Sequence, residues 1–100
     1  MRTFQGGYVA ELRRVQGQLF DFAGNRDAAE DAFRAALEYA RGQKARSFEL
    51  RSASALSRFL RTSGRDAEAD ATLAPVYESF SEGHDTADLL NARAILSRIG

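Results

Sequence analysis

The sequence predicts an all-α chain of five helices, arranged as two antiparallel hairpins followed by one unpaired helix. Three observations carry this. Apolar residues recur at helical spacing in five separate stretches. The composition favours helix over sheet: 18 residues are Ala and ten are Leu, against nine for Val, Ile and Thr together, with a single Pro. The stretches are separated by only a few residues, so consecutive helices must be antiparallel neighbours. The 100 residues suffice for one domain and leave no room for a second.

In the first stretch, Tyr8, Leu12, Val15, Leu19 and Phe22 form one helical stripe, and Gly24-Asn25 ends it, with Gly suited to a left-handed C-terminal position. The second carries Ala29, Ala32, Phe33, Ala36, Leu37 and Ala40. Its start is open by a turn, because Asp27 and Glu30 have capping-box spacing while Asn25 competes as the N-cap. Arg41-Gly42-Gln43-Lys44 supplies the basic charge and glycine expected at a helix C-terminus. The third helix runs from about Ala45 to Thr62 with Phe48, Leu56, Phe59 and Leu60, and Ser63-Gly64 closes it. The fourth carries Ala69, Leu73, Val76 and Phe80, with a kink expected at Pro75. Ser81-Glu82-Gly83-His84 reads as a loop, and Asp85 as the cap of a last helix bearing Leu89, Ala92, Leu96 and Ile99.

Laid on itself at an offset of forty residues, the chain shows a repeat. Gly24 falls on Gly64, Ala29 on Ala69, Phe20 on Leu60, Phe33 on Leu73, Leu19 on Phe59 and Tyr8 on Phe48. A further step aligns Val15, Ala55 and Ile95, and Leu19, Phe59 and Ile99. The unit is a two-helix hairpin present twice, residues 3–43 and 44–82, followed by a capping helix at 85–100. A hairpin of this kind cannot bury its own apolar face, so copies must stack and the end must be covered.

Gly17, Phe20, Gly24, Ala29, Phe33 and Ala36 have the spacing of the tetratricopeptide repeat, and Ser57, Leu60, Gly64, Ala69, Leu73 and Val76 give a weaker second copy. The chain therefore resembles a TPR-like α-solenoid. It departs from that pattern where Arg13 and Ala53 hold the usual tryptophan position, where Gln16 replaces a leucine, in the missing terminal proline, and in a period longer than thirty-four. Residues 11–20, 28–60 and 73–96 are similar to the C-terminal tail of large bacterial signalling proteins, with His84 standing where an aromatic residue is expected. In those proteins a nucleotide-cyclase or DNA-binding domain precedes a STAND-type ATPase, and tetratricopeptide-like repeats end the chain. The resemblance implies a regulatory, non-enzymatic, cytoplasmic interaction module holding none of the catalytic elements of such a parent.

The residues themselves exclude much chemistry. Cysteine is absent and there is one His, so thiolate sites, disulfides and histidine cages are ruled out, and no metal or cofactor is expected. Fourteen basic and fourteen acidic residues give a net charge of zero, which argues against a nucleic-acid partner. No apolar run is long enough for a membrane span, and the N-terminus lacks the apolar core of a secretory signal. Gly6-Gly7 is not followed by Gly-Lys-Ser/Thr, so no phosphate loop is present. His84-Asp85 lacks the third group of a triad, and Glu30-Asp31 and Asp66-Glu68 read as complements to helix dipoles. Tyr77 and Phe80 read as core of the last hairpin rather than as a pocket lining.

The feature that bears on function is polar. On the inner, concave face expected of such a solenoid, the first helix presents Glu11, Arg14, Gln18 and Asp21, and the third presents Arg51, Ser54, Arg58 and Arg61. Charge on an exposed helix face is ordinary, and this stripe reads first as a solvated face partly neutralised by Glu11 and Asp21. The functional alternative is a clamp, in which the arginines hold carboxylates of a protein or peptide partner by bidentate hydrogen bonds, with Arg14, Gln18 and Ser54 beside them. The expected function is protein–protein interaction with such a partner or with other domains of a parent protein. The alternative is a self-associating structural domain, a homodimer, with no separate ligand.

Overall fold

Five helices form where helical spacing places them. The computed structural model describes residues 6–80 and 86–97, the side chains from Val9 on. Its elements are α1 (Gly6–Phe22), α2 (Arg26–Gly42), α3 (Arg46–Thr62), α4 (Asp66–Glu78) and α5 (Ala87–Ser97), with no strand among the described residues. Tyr8, the loop 81–84, Asp85 and Ile99 lie outside the described side chains. The first four helices start at intervals of twenty residues, a finer period than the forty-residue repeat of the sequence.

That period is set by three copies of one turn. Gly24, Lys44 and Gly64 all take positive φ, at 86°, 57° and 78°. In each turn the next residue donates back across the helix end, Asn25 to Phe20 O at 2.8 Å, Ala45 to Ala40 O and Arg65 to Leu60 O at 2.9 Å. The positive-φ residue donates to Asp21 O, Arg41 O and Arg61 O, each at 3.0 Å. These paired bonds satisfy carbonyls that a helix end would otherwise leave bare. The glycine of the middle turn is displaced: Gly42 is the last helical residue, and Lys44 takes the left-handed position. A side chain there is strained, whereas a Cβ on Gly42 would meet nothing within 4 Å. Lys44→Gly should therefore stabilise the fold by about 0.5–1 kcal/mol, net of the extra freedom of Gly in the unfolded chain, and Gly42→Ala by a similar amount. Urea titration checks both. A destabilised Lys44→Gly would mean that the turn is not left-handed.

Two of the sequence-level caps resolve. Asn25 is the N-cap of α2, its side chain accepting from Ala28 N at 3.2 Å, so Asp27 sits within the first turn. The last helix is capped by Thr86, whose Oγ1 accepts from Leu89 N at 3.3 Å, one residue beyond the expected Asp85. Pro75 lies inside α4, which runs only three residues further, and Phe80 falls beyond the helix while still packing on the core.

The molecule is a slab of 46 × 36 × 19 Å, two helix diameters thick. One layer holds α1, α3 and α5, with α3 adjoining both others; α2 and α4 form the second. The backbones of α2 and α4 do not touch, and only long side chains bridge them. Helices close together in one layer and apart in the other curve the slab around the α1–α3–α5 side.

Small residues permit the tight α1–α2 pairing: Ala10 and Gly17 on α1 meet a helix whose buried residues are Ala29, Ala32, Phe33, Ala36, Leu37 and Ala40. Helix α3 adjoins all four others and is buried on most sides, through Leu50, Ala53, Leu56, Phe59 and Leu60 and through Ser52, Ser54 and Ser57. Helix α5 closes the core with Leu89, Ala92 and Ile95, and Leu96 packs at its edge; Asn91 and Arg93 are exposed. The stripe counted on α1 behaves differently. Leu12, Val15, Leu19 and Phe22 are 47%, 40%, 63% and 93% exposed.

Candidate functional site

The inner face of the slab is crossed by ion pairs that link its three helices. Glu11 on α1 accepts from Arg14 on its own helix at 2.8 Å and from Arg51 on α3 at 3.1 Å. Arg51 reaches onward to Asp88 on α5 at 3.0 Å and lies 5.2 Å from the Phe48 ring centroid. Burial of Glu11 works to raise its pKa, but hydrogen bonds from Arg14 and Arg51 outweigh this and hold it below the usual carboxylate value. The Arg51 guanidinium is held more firmly charged, first by Asp88, with Glu11 adding to the effect against partial burial. This chain of charges fastens α1, α3 and α5 in register.

One turn further along, the face opens into a cleft of about 140 Å³ lined by Gln18 and Asp21 of α1 and by Ala55, Arg58 and Thr62 of α3, with Phe33 and Phe59 beneath. The two rings lie 5.6 Å apart, and the guanidinium of Arg26 sits 4.2 Å above Phe59. Arg26 also bonds to Asp21, to Thr62 Oγ1 at 2.9 Å and to Ser63, closing one end of the cleft. Arg58 spans to α5 and meets the neutral amide of Asn91 at 2.9 Å.

The six sequence-derived candidates therefore separate. Gln18 and Arg58 line the cleft. Arg14 and Arg51 are committed to Glu11 and Asp88. Arg61 turns away from the cleft to Asp70 on α4, and its side chain is mostly buried. Ser54, expected on the open face, is buried, because α3 has neighbours on nearly every side. The hydroxyls of Ser52, Ser54 and Ser57 have no hydrogen-bond partner among the described residues.

Sequence reasoning missed Arg26, Asp88 and Asn91, which come from neighbouring helices. One signal was present, since Glu11, Arg51 and Asn91 occupy the same position of successive forty-residue units. Also missed was a cluster on the other layer. Arg65 bonds Glu30 at 2.8 and 3.0 Å, and Arg34 bonds Glu30 at 2.9 Å and Glu68 at 2.7 Å, tying α2 to α4. Hydrogen bonds from Arg65 and then Arg34 push the Glu30 pKa down from 4.5 to about 2, and the same two arginines, Arg34 first, lower that of Glu68.

A carboxylate depressed in the fold lends stability above its unfolded pKa and loses it as pH falls towards the folded value. The contribution of Glu30 is therefore complete at neutral pH and fades between 4.5 and about 2. Solvent reaches this cluster, so about 1 kcal/mol is expected from Glu30. Thermal melts of Glu30→Gln should fall below the parent at pH 7 and converge with it near pH 2. A constant gap across that range would rule out the linkage.

No group of three or more His, Asp or Glu able to hold a metal occurs among the described residues, and among these no helix is long and apolar enough to cross a membrane. No protein-family model matches the sequence, and neither a curated protein nor a solved structure similar to it was found.

Proposed function

We propose that this chain is a non-catalytic protein–protein interaction module, a TPR-like solenoid whose α1–α3–α5 face takes an extended, acidic segment of a partner. The observation that carries this reading is the cleft beside Arg58. It joins an aromatic floor to hydrogen-bonding walls, and Arg58 is the one arginine of the α3 stripe whose described contact is a neutral amide. A carboxylate arriving there gains a charge-assisted pair and displaces only Asn91. The resemblance read in residues 11–20, 28–60 and 73–96 prompts the further proposal that the module serves a signalling ATPase or cyclase.

The ion pairs decide which variant is informative. Arg51→Glu and Arg61→Glu would place like charges beside Glu11, Asp88 and Asp70, so they would disturb the fold as well as the face. Arg58→Glu should keep the melt within about 0.5 kcal/mol of the parent, since the residue is exposed. Binding of Asp/Glu-rich peptides, followed by fluorescence anisotropy, should weaken about tenfold or more in this variant. Equal binding by parent and variant would refute the carboxylate clamp.

A further inference from the structure

The helices of the inner layer can be compared position by position in the forty-residue register. Positions 12, 15 and 19 of α1 correspond to Ser52, Ala55 and Phe59 of α3 and to Ala92 and Ile95 of α5. In α3 and α5 these positions are covered by the preceding hairpin. Ser52 and Phe59 are buried, Phe59 against Phe33 of α2, and Ala55 packs at the core edge. Ala92 and Ile95 are buried on a helix whose described neighbours are α3 and α4. In α1 the same positions hold Leu12, Val15 and Leu19, with Phe22 one turn on, all apolar and all exposed. Leu12, Val15 and Leu19 in that register form an apolar stripe of the kind that marks an interaction surface, and Phe22 extends it past the covered positions, its counterpart Thr62 being exposed.

We infer that the exposed stripe of α1 is a docking surface for a further helical hairpin of the same forty-residue unit, whose second helix seats on α1 as α2 seats on α3 and α4 on α5. The occupant is fixed by continuity with those two interfaces. A second copy of this chain does not supply it, because the helices that make this kind of contact, α2 and α4, are already engaged within the fold. The inference does not depend on the peptide cleft, which lies on another face.

The absence of cysteine makes the test direct. Residues 6–45 are duplicated immediately before Gly6, which keeps the register, and Leu19→Cys is introduced either in the added outer copy or in the original, now inner, copy. The inner thiol should react with a maleimide at least tenfold more slowly than the outer one, and the melting midpoint should rise above that of the 100-residue chain. Equal thiol rates, or an added hairpin contributing no helical circular dichroism, would overturn the inference. On the original chain, sedimentation should show a monomer that Leu19→Glu leaves unchanged. A dimer dissolved by Leu19→Glu would assign the stripe to a second copy and also overturn the inference.

Discussion

Deleting residues 85–100 should leave a chain that aggregates or melts without a cooperative transition. Leu89, Ala92 and Ile95 are buried members of the single core cluster, and Leu96 packs against it. Each Leu or Ile withdrawn from such a site forfeits about 1.5–3 kcal/mol, and the core left behind loses cover in addition. Leu73 and Val76 belong to that core and lie on α4, which adjoins α5. Two or three such losses approach the 5–15 kcal/mol by which a whole domain of this size is stable. Asp88 would go as well, leaving Arg51 paired with Glu11 of α1 alone. A soluble truncated protein with a sharp melt at the parent midpoint would show that α5 is a dispensable extension.

How much of this was legible in the sequence varies with the physics of each feature. Helix ends were legible where glycine and the positive-φ position coincide, at Gly24 and Gly64. They were not at the middle turn, because Lys44 takes the position and Gly42 is a misleading marker two residues upstream. The buried residues of α2 and α4, and Leu56, Phe59, Leu60, Leu89 and Ala92 of α3 and α5, followed from apolar spacing, whereas the buried Leu50 and Ile95 fell outside the counted stripes. On α1 the same count picked out the exposed stripe. Its buried contacts are Ala10 and Gly17, small residues that any hydrophobicity count overlooks but that close backbone approach demands. At the last helix the expected cap Asp85 lies outside the described residues, and Thr86 Oγ1 is the acceptor for Leu89 N.

The site was legible only in part, for a related reason. Helical spacing put Arg51, Arg58 and Arg61 on one strip of α3, but a strip does not say what stands opposite. Arg61 is drawn to Asp70 and Arg51 to Glu11 and Asp88, so their charges are already answered within the fold. Arg58 differs because its neighbour across the layer is Asn91, at the repeat position that holds Glu11 in the first unit and Arg51 in the second. Whether Arg51 or Arg58 meets a carboxylate or a neutral amide within the fold is decided by the residue facing it on the adjacent repeat.

The contact between Gly17 and Phe33 should produce the largest effects of any single site. Phe33 is almost fully buried, its ring lies against Phe59, and it forms part of the cleft floor. Phe33→Ala should cost about 3–5 kcal/mol through lost burial and an unfilled cavity. A Cβ on Gly17 would sit 2.7 Å from Cδ1 and Cε1 of that ring, inside any tolerable contact. Intrinsic helix propensity alone would make Gly17→Ala stabilising by about 1 kcal/mol. The ring, however, is held by Phe59 and cannot swing clear, so overpacking should win and leave a net loss of about 1–3 kcal/mol. The sign should reverse once the obstacle is removed. In a Phe33→Ala background, Gly17→Ala should no longer destabilise, because the new methyl group enters the space the ring vacated. A double-mutant cycle measured by urea unfolding reads this coupling directly. If Gly17→Ala stabilised the parent as much as the Phe33→Ala variant, the two residues would not be in contact and the close approach of α1 to α2 would need another explanation.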